Sequence, residues 1–207
     1  MIAVIDYGMG NLRSVRRGIE KAGGNPVVTS DPDEIDAAAG VVLPGVGAFG
    51  RCMENLERYG LVEVVKKVAT NGKPFLGICL GLQILFEESE EFGPVKGLGI
   101  LPGKVVRFPQ NDELTVPHMG WNRIRKNSDR SMLRGIDDGE WFYFVHSYYI
   151  VSDRDDDVAT TTDYGVNFVS SVEYGNLYAC QFHPEKSSNA GLRILENFTG
   201  LVKESAG

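Results

Sequence analysis

Lys73-Pro74-Phe75-Leu76-Gly77-Ile78-Cys79-Leu80-Gly81-Leu82-Gln83 is the stretch on which the reading of this chain turns. Phe75 to Ile78 is an apolar run of buried-strand length, after which Leu82, Leu85 and Phe86 recur at helical spacing. Cys79 stands between them, flanked by Gly77 and Gly81. Those glycines leave room for a sharp strand-to-helix turn, the backbone logic of the G-x-S-x-G nucleophile elbow with sulfur replacing oxygen. Such a turn lifts the side chain above the carboxyl edge of a sheet. It also sets the thiol at a helix N-terminus, where free N–H groups and the helix dipole favour the thiolate. The plainer alternative is a buried cysteine in a Gly-rich turn, behaving as a small hydrophobe.

Working outward, the first ninety residues alternate short apolar runs with helical patterns. Ile2–Ile5, Val27–Thr29 and Val41–Leu43 read as strands. Asn11 is placed to cap a helix with Leu12, Val15, Ile19 and Ala22 on one face, and Leu61–Val68 belongs to another helix. This alternation predicts a parallel sheet with right-handed crossovers. From about Leu98 to Val172 the pattern changes: Val105–Phe108, Asn122–Ile124, Trp141–Val145, Val158–Thr162 and Phe168–Val172 look like strands joined by turns. Tyr178–Phe182 returns as a strand, and a last helix carries Leu192, Leu195 and Phe198 inward with Arg193, Glu196 and Asn197 outward. The expected fold class is α/β: an open, mostly parallel twisted sheet flanked by helices, with an additional mixed or antiparallel strand region. One domain is expected over 1–207.

Composition narrows the function. A net charge of −7 argues against nucleic acid, which needs a dense basic patch. No apolar run approaches the roughly 20 residues that span a bilayer, and Met1–Ile5 runs directly into Asp6 as a strand, not a signal peptide. Three cysteines at wide spacing (Cys52, Cys79, Cys180) make no disulfide framework, so a cytoplasmic protein with reduced thiols is expected. Three separated histidines and no paired cysteines suggest neither a metal site nor a metal cofactor.

Ligands on open α/β sheets bind beyond the carboxyl ends of strands. Four such loops stand out: Asp6–Asn11, Pro44–Gly50, the Cys79 turn, and His183-Pro184-Glu185-Lys186-Ser187. A nucleophilic thiol needs a base, and the base needs a third group to fix its tautomer. His183 and Glu185 offer both on one stiff turn, 104 residues beyond Cys79 yet on the same predicted edge. Alternation at a strand end would put residues 183 and 185 on one side. The Gly-rich Pro44–Gly50 backbone can aim N–H groups at a developing oxyanion. Gln83, four residues past Cys79, shares its helix face and offers an amide to a polar substrate; a solvent-exposed glutamine is the alternative. In the acidic run Glu87–Glu91, Glu91 is the candidate partner for a substrate ammonium.

With these residues the chain resembles the class I glutamine amidotransferases, through Gly77-x-Cys79-x-Gly81-x-Gln83 and His183-Pro184-Glu185. Asp6-Tyr7-Gly8-Met9-Gly10-Asn11-Leu12, Pro117-His118-Met119-Gly120-Trp121-Asn122 and Lys186-Ser187 narrow the likeness to the glutaminase subunits of imidazole glycerol phosphate synthases. The resemblance implies hydrolysis of L-glutamine to glutamate and ammonia through a thioester on Cys79, with His183 as acid and base and Glu185 orienting it. It implies oxyanion donors at the Leu80 N–H and in the Val46–Gly47 segment, and Gln83, Glu91, His146 and Ser147 beside the substrate. It further implies a heterodimer with a cyclase subunit, a (β/α)8 barrel that receives ammonia within protein. Asn11, Met119, Trp121 and Lys186 would touch that partner, the Tyr7–Asn11 loop and Pro117–Asn122 forming docking surface. No organic cofactor is implied. A different amidotransferase subunit, a stand-alone cysteine hydrolase and an idle binding module are the competing readings.

Overall fold

The computed structural model describes residues 1–109 and 114–205. Five parallel strands form the centre: β1 (Ile2–Ile5), β2 (Pro26–Thr29), β3 (Gly40–Gly45), β4 (Phe75–Cys79) and, from the end of the chain, β14 (Leu177–Cys180), in the order β2-β1-β3-β4-β14. Between them run α1 (Leu12–Lys21), α2 (Pro32–Ala37), α3 (Phe49–Arg58), α4 (Val62–Thr70) and the single turn α5 (Leu80–Gln83). Beyond β14 the sheet continues through β13 (Asn167–Tyr174), β11 (Tyr148–Ser152), β7 (Gly103–Arg107), β5 (Glu88–Ser89) and β6 (Val95–Lys96), with β12 (Val158–Asp163) and β9 (Arg125–Lys126) branching from β13. The pairs β14–β13, β13–β11 and β11–β7 are antiparallel, which is the mixed extension expected. A separate antiparallel ribbon pairs β8 (His118–Arg123) with β10 (Trp141–His146). The chain ends in α6 (Ser188–Ser205).

Strands β1, β3, β4 and β14 are buried throughout because both faces are covered. On one face Ala3, Ile5, Val41, Leu43 and Phe75 pack with Ile35 of α2, Phe49, Cys52 and Leu56 of α3, and Val65 and Val68 of α4. On the other, Ile2, Val4, Val42, Leu76 and Ile78 meet Val15 and Ile19 of α1 and Ile194, Leu195 and Phe198 of α6. Asn11 caps α1 as expected, accepting from the Ser14 N–H at 3.4 Å. In α6 the buried stripe is Ile194, Leu195, Phe198 and Val202, with Leu192 only half buried. Asn197 is not simply outward: its Nδ2 donates to the Met132 and Arg134 carbonyls at 2.9 and 2.8 Å.

Two helices differ from expectation for reasons outside their own sequence. The helix after Cys79 lasts one turn and does not reach Phe86. The carbonyls of Ile84, Leu85 and Phe86 accept instead from Leu98, Ile100, Leu101 and Gly99, so the chain is diverted by a distant segment. Conversely, α3 begins inside what reads as a glycine loop. Ala48 has no capping side chain, and Glu91 supplies the cap through Oε2, 2.6 Å from the Phe49 N–H.

Cys79 itself has φ +56° and ψ −109°, the left-handed side of the map that a β-carbon disfavours. Glycine makes the turn sterically feasible. A β-carbon on Gly81 would overlap the Leu43 carbonyl oxygen, one on Gly45 would lie 2.7 Å from the Gly81 nitrogen, and one on Gly77 2.8 Å from the Gly81 oxygen. Both faces of this crossing are backbone, so neither can yield. Gly81→Ala is therefore expected to destabilise the fold by about 3 kcal/mol or more, read as a lowered thermal midpoint, whereas Gly60→Ala, with open space around it, costs only the roughly 1–2 kcal/mol of its positive φ.

Candidate active site

Because β1, β3, β4 and β14 are parallel, the loops that follow them share one edge. A cavity of about 310 Å³ opens there. Val46, Gly47, Cys79, Leu80, Gln83, Glu91, His146, Ser147 and His183 all line it, joined by Pro117, Val145 and Tyr148. Glu185 stands behind the wall with its side chain buried, its Oε1 2.9 Å from His183 Nδ1.

Strand alternation is not what unites His183 with Glu185. A 3-10 turn over Pro184–Lys186 folds the carboxylate back onto the ring. The turn is clamped from two sides. The His183 N–H donates to the Tyr143 carbonyl at 2.9 Å, while Ser187 Oγ donates to the His183 carbonyl at 2.7 Å and accepts from the Tyr143 N–H at 2.9 Å. Gly18 lets α1 close on Leu195 of α6 beside Glu185, and Gly191 packs α6 directly against the Pro184 carbonyl. His183 Nε2 is buried and makes no full hydrogen bond among the described residues; the Cys79 sulfur is its polar neighbour. Burial alone would pull this ring's pKa down. Hydrogen bonding and charge from Cys79 and Glu185 outweigh that and raise it to about 10. A ring held protonated beside the sulfur is the counter-ion a thiolate needs.

The other cysteines have different surroundings. Cys52 is buried, its sulfur 2.9 Å from the Tyr7 hydroxyl, and burial pushes its pKa to about 12. Cys180 is buried and raised as well, while no disulfide forms. Tyr7 departs from the expected docking loop: it is fully buried, and its hydroxyl donates to the Pro44 carbonyl at 2.6 Å, anchoring the start of the Gly-rich loop. In that loop Gly47 has φ +100° and is exposed, while Glu91 holds the far end through Phe49.

Gln83 is buried, not solvent-exposed. Its Nε2 donates to the Tyr148 carbonyl and to Gln181 Oε1, both at 2.9 Å, which leaves its own Oε1 for the cavity. His146 forms cavity wall with both ring nitrogens engaged, Nδ1 to the Tyr148 carbonyl at 2.8 Å and Nε2 to His118 Nδ1 at 2.9 Å. A carbonyl only accepts, so His146 carries its proton on Nδ1 and accepts at Nε2 from His118. His118 Nε2 then accepts from Asn122 Nδ2 at 3.2 Å. Asn122 and His118 are thus supports within the ribbon, while alternate residues on its other face, Met119 and Trp121, are 63% and 48% exposed. Trp121 meets the Tyr143 ring edge-on at 6.2 Å, and Lys186 Nζ lies 5.6 Å from that same ring. Asn11 is the α1 cap.

Val145, Tyr148 and Gln181 take part in the site without having been singled out by sequence. Only Gln181 carried a usable signal: a polar side chain inside the apolar run Leu177–Phe182. Among the described residues no group of three or more His, Cys, Asp or Glu side chains is arranged to hold a metal, and no helix is long and apolar enough to cross a membrane.

Known proteins are similar to this chain in sequence and in fold. The family model for glutamine amidotransferase class-I matches residues 3–201. Imidazole glycerol phosphate synthase subunit HisH of Moorella thermoacetica is 54% identical over 204 residues, covering 99% of this chain and 96% of that protein. The subunit of the same name from Syntrophotalea carbinolica is 55% identical, with coverage of 96% and 98%. In fold, the chain is similar to a solved glutamine amidotransferase (TM-score 0.75, 18% identity, 98% and 100% covered). It is likewise similar to a chain of PurLQS from Thermotoga maritima (TM-score 0.74, 21% identity, 100% and 98% covered).

The histidine pair gives a testable acid limb. Burial lowers His118 to about 4 and His146 to about 3, while the unfolded rings titrate near 6.5. The unfolded chain thus binds more protons between these values, so stability is full above pH 6.5 and falls as pH drops toward 4. Urea unfolding should show a slope of about 1.4 kcal/mol per pH unit for each ring, and His146→Gln should remove one ring's share.

Proposed function

The chain belongs to the class I glutamine amidotransferase family, and we propose that it is the glutaminase subunit of an imidazole glycerol phosphate synthase, acting in the cytoplasm in histidine biosynthesis. The observation that carries this is the buried His183–Glu185 pair at 2.9 Å, its free Nε2 sharing a cavity with Cys79. Glutamine enters with its side-chain amide against the sulfur. Gln83 Oε1 accepts from the α-ammonium, Glu91 adds negative charge nearby, and His146 and Ser147 complete the wall. Cys79 Sγ attacks the amide carbon, and the carbonyl π electrons move onto oxygen as the C–S bond forms. The Leu80 N–H and an N–H of the Val46–Gly47 segment receive that oxyanion. His183 Nε2–H gives its proton to the departing ammonia as the C–N bond breaks. In the second half the ring takes a proton from water, hydroxide attacks the thioester, and the sulfur leaves as thiolate paired with the reprotonated ring. Glu185 holds the ring orientation throughout.

Ammonia in water at neutral pH is mostly ammonium, which is no nucleophile. The product therefore has value only if it passes within protein to its acceptor. The partner is a cyclase with a (β/α)8 barrel, covering the cavity edge through Met119, Trp121 and Lys186, with Asn11 at the rim, as a heterodimer. The exposed methionine and tryptophan beside a lysine are the composition of an interface core with its edge.

Glutaminase assays of the purified chain, alone and with the cyclase subunit and its nucleotide ligand, test the reading. Strong stimulation is expected with the partner, and Cys79→Ala should abolish turnover; equal activity in both states would favour a stand-alone hydrolase. Gly47→Pro forces φ near −65° where the chain needs +100°. It should cut stimulated turnover by ~10²–10³, the cost of losing one oxyanion donor, with the melting temperature held because the loop is exposed. Glu185→Gln should lower kcat by about 10²–10⁴, as loss of a tautomer-fixing acid does elsewhere.

A further inference from the structure

We propose that Gln181 is a positioning residue for the nucleophile: its side-chain amide donates an N–H to the Cys79 sulfur and at the same time fixes which atom Gln83 offers to the substrate. The inference rests on the amide-hydrolysis reading above and deepens it.

Placement comes from register. β14 runs parallel to β4 with Ala179 opposite Gly77 and Cys180 opposite Ile78, so one step further Gln181 lies beside Cys79. Its backbone stays tied to the sheet through an N–H to the Ser170 carbonyl at 2.9 Å, and no part of it is exposed. A fully buried amide must satisfy its polar atoms locally or lose stability. Gln181 satisfies them in only one orientation. Gln83 Nε2 lies 2.9 Å from the Tyr148 carbonyl, which can only accept, so Gln83 presents N–H groups there and to Gln181. Gln181 must then accept with Oε1, which turns its Nε2 toward Cys79 Sγ at 3.6 Å. The donor chain runs one way to the sulfur, Gln83 to Gln181 and Gln181 to Cys79, whose Sγ lies 3.9 Å from the Val145 carbonyl.

Two consequences follow. A donor aimed at sulfur favours the thiolate over the thiol, because hydrogen bonds to an ionised acceptor are the stronger kind. It also holds Sγ on the Gln181 side while the His183 ring stands by as the acid for the leaving group. Meanwhile both Gln83 N–H groups are spent within the protein, so the cavity receives its oxygen. An exposed oxygen selects a cationic or N–H-bearing ligand group, here the ammonium of an amino acid.

The test uses the full chain with its cyclase partner and two readouts. Labelling of Cys79 by iodoacetamide across pH, with Cys79→Ala as blank, needs no glutamine; steady-state glutaminase kinetics do. Gln181→Met keeps the volume but removes both polar ends. It should slow labelling about tenfold at pH 7, with the gap narrowing as rising pH ionises the thiol in both proteins. It should also lower kcat for glutamine about tenfold and raise KM several-fold as Gln83 loses its acceptor. Should that variant fold poorly, Gln181→Leu takes the same measurements. A labelling profile superimposable on that of the native chain, with only the melting temperature reduced, would overturn the proposal and leave Gln181 a packing residue. If the native complex does not hydrolyse glutamine yet the labelling effect of Gln181→Met persists, the functional reading fails while the N–H to sulfur stands.

Discussion

Everything in this site depends on one backbone crossing. The Leu43 carbonyl at the end of β3 presses against residue 81 so closely that no side-chain atom fits between them. That contact turns the chain sharply after β4 and holds Cys79 at φ +56°. A strained conformation persists only where its surroundings over-determine it, and here three glycines on two strands and a turn do so. Parallel pairing on either side of β4 sets the ends of β3, β4 and β14 side by side. Sulfur, imidazole and the loop carrying Val46 and Gly47 share a cavity because three strand ends share a corner.

The polar interior behind that corner is organised around a single acceptor. The Tyr148 carbonyl takes one N–H from Gln83 and another from His146. Since it cannot donate, it sets the direction of two hydrogen-bond chains. One runs inward through Gln83 and Gln181 to the sulfur; the other runs outward through His146 and His118 to Asn122. In a low-dielectric interior such chains are stiff, because reversing one member leaves a buried donor facing a donor. The ribbon of β8 and β10 thereby has two jobs on two faces. Its buried side orients the wall of the cavity, and its exposed side carries Met119 and Trp121. Tyr143 links both to the Pro184–Lys186 turn, its N–H and carbonyl clamped to Ser187 and His183.

What was legible in the sequence was whatever is encoded locally. The parallel strands, the Asn11 cap and the glycines around Cys79 each declare themselves within a few residues, and the pairing of His183 with Glu185 follows from a two-residue separation. Even there the agent was a 3-10 turn and not strand alternation. The start of α3 was hidden because its cap is Glu91, 42 residues away. Helical spacing overstates the length of α5 because Leu98–Leu101 takes the carbonyls that would extend it. Tyr7 reads as loop surface, yet its hydroxyl finds Pro44 and Cys52 inside. By contrast α2 was readable, with Asp31 capping and Pro32, Asp33 and Glu34 in its first turn, and simply lay in a stretch with little apolar periodicity.

The three cysteines show how far residue type is from reactivity. Cys52 and Cys180 are as buried as Cys79, and all three sulfurs have polar neighbours. Cys52 faces a phenol whose own ionisation is suppressed by burial, and Cys180 faces the Phe182 carbonyl. The Tyr7 hydroxyl favours a negative Cys52 sulfur but burial outweighs it, and the Phe182 carbonyl cannot donate to Cys180, so both thiols are driven toward the neutral form. Only Cys79 has an imidazole on one side and an amide N–H on the other. Both come from the few residues after β14, at one remove along the parallel register from β4. The chemistry is therefore a property of strand order: with β14 anywhere but beside β4, Cys79 would be a third inert thiol in the core.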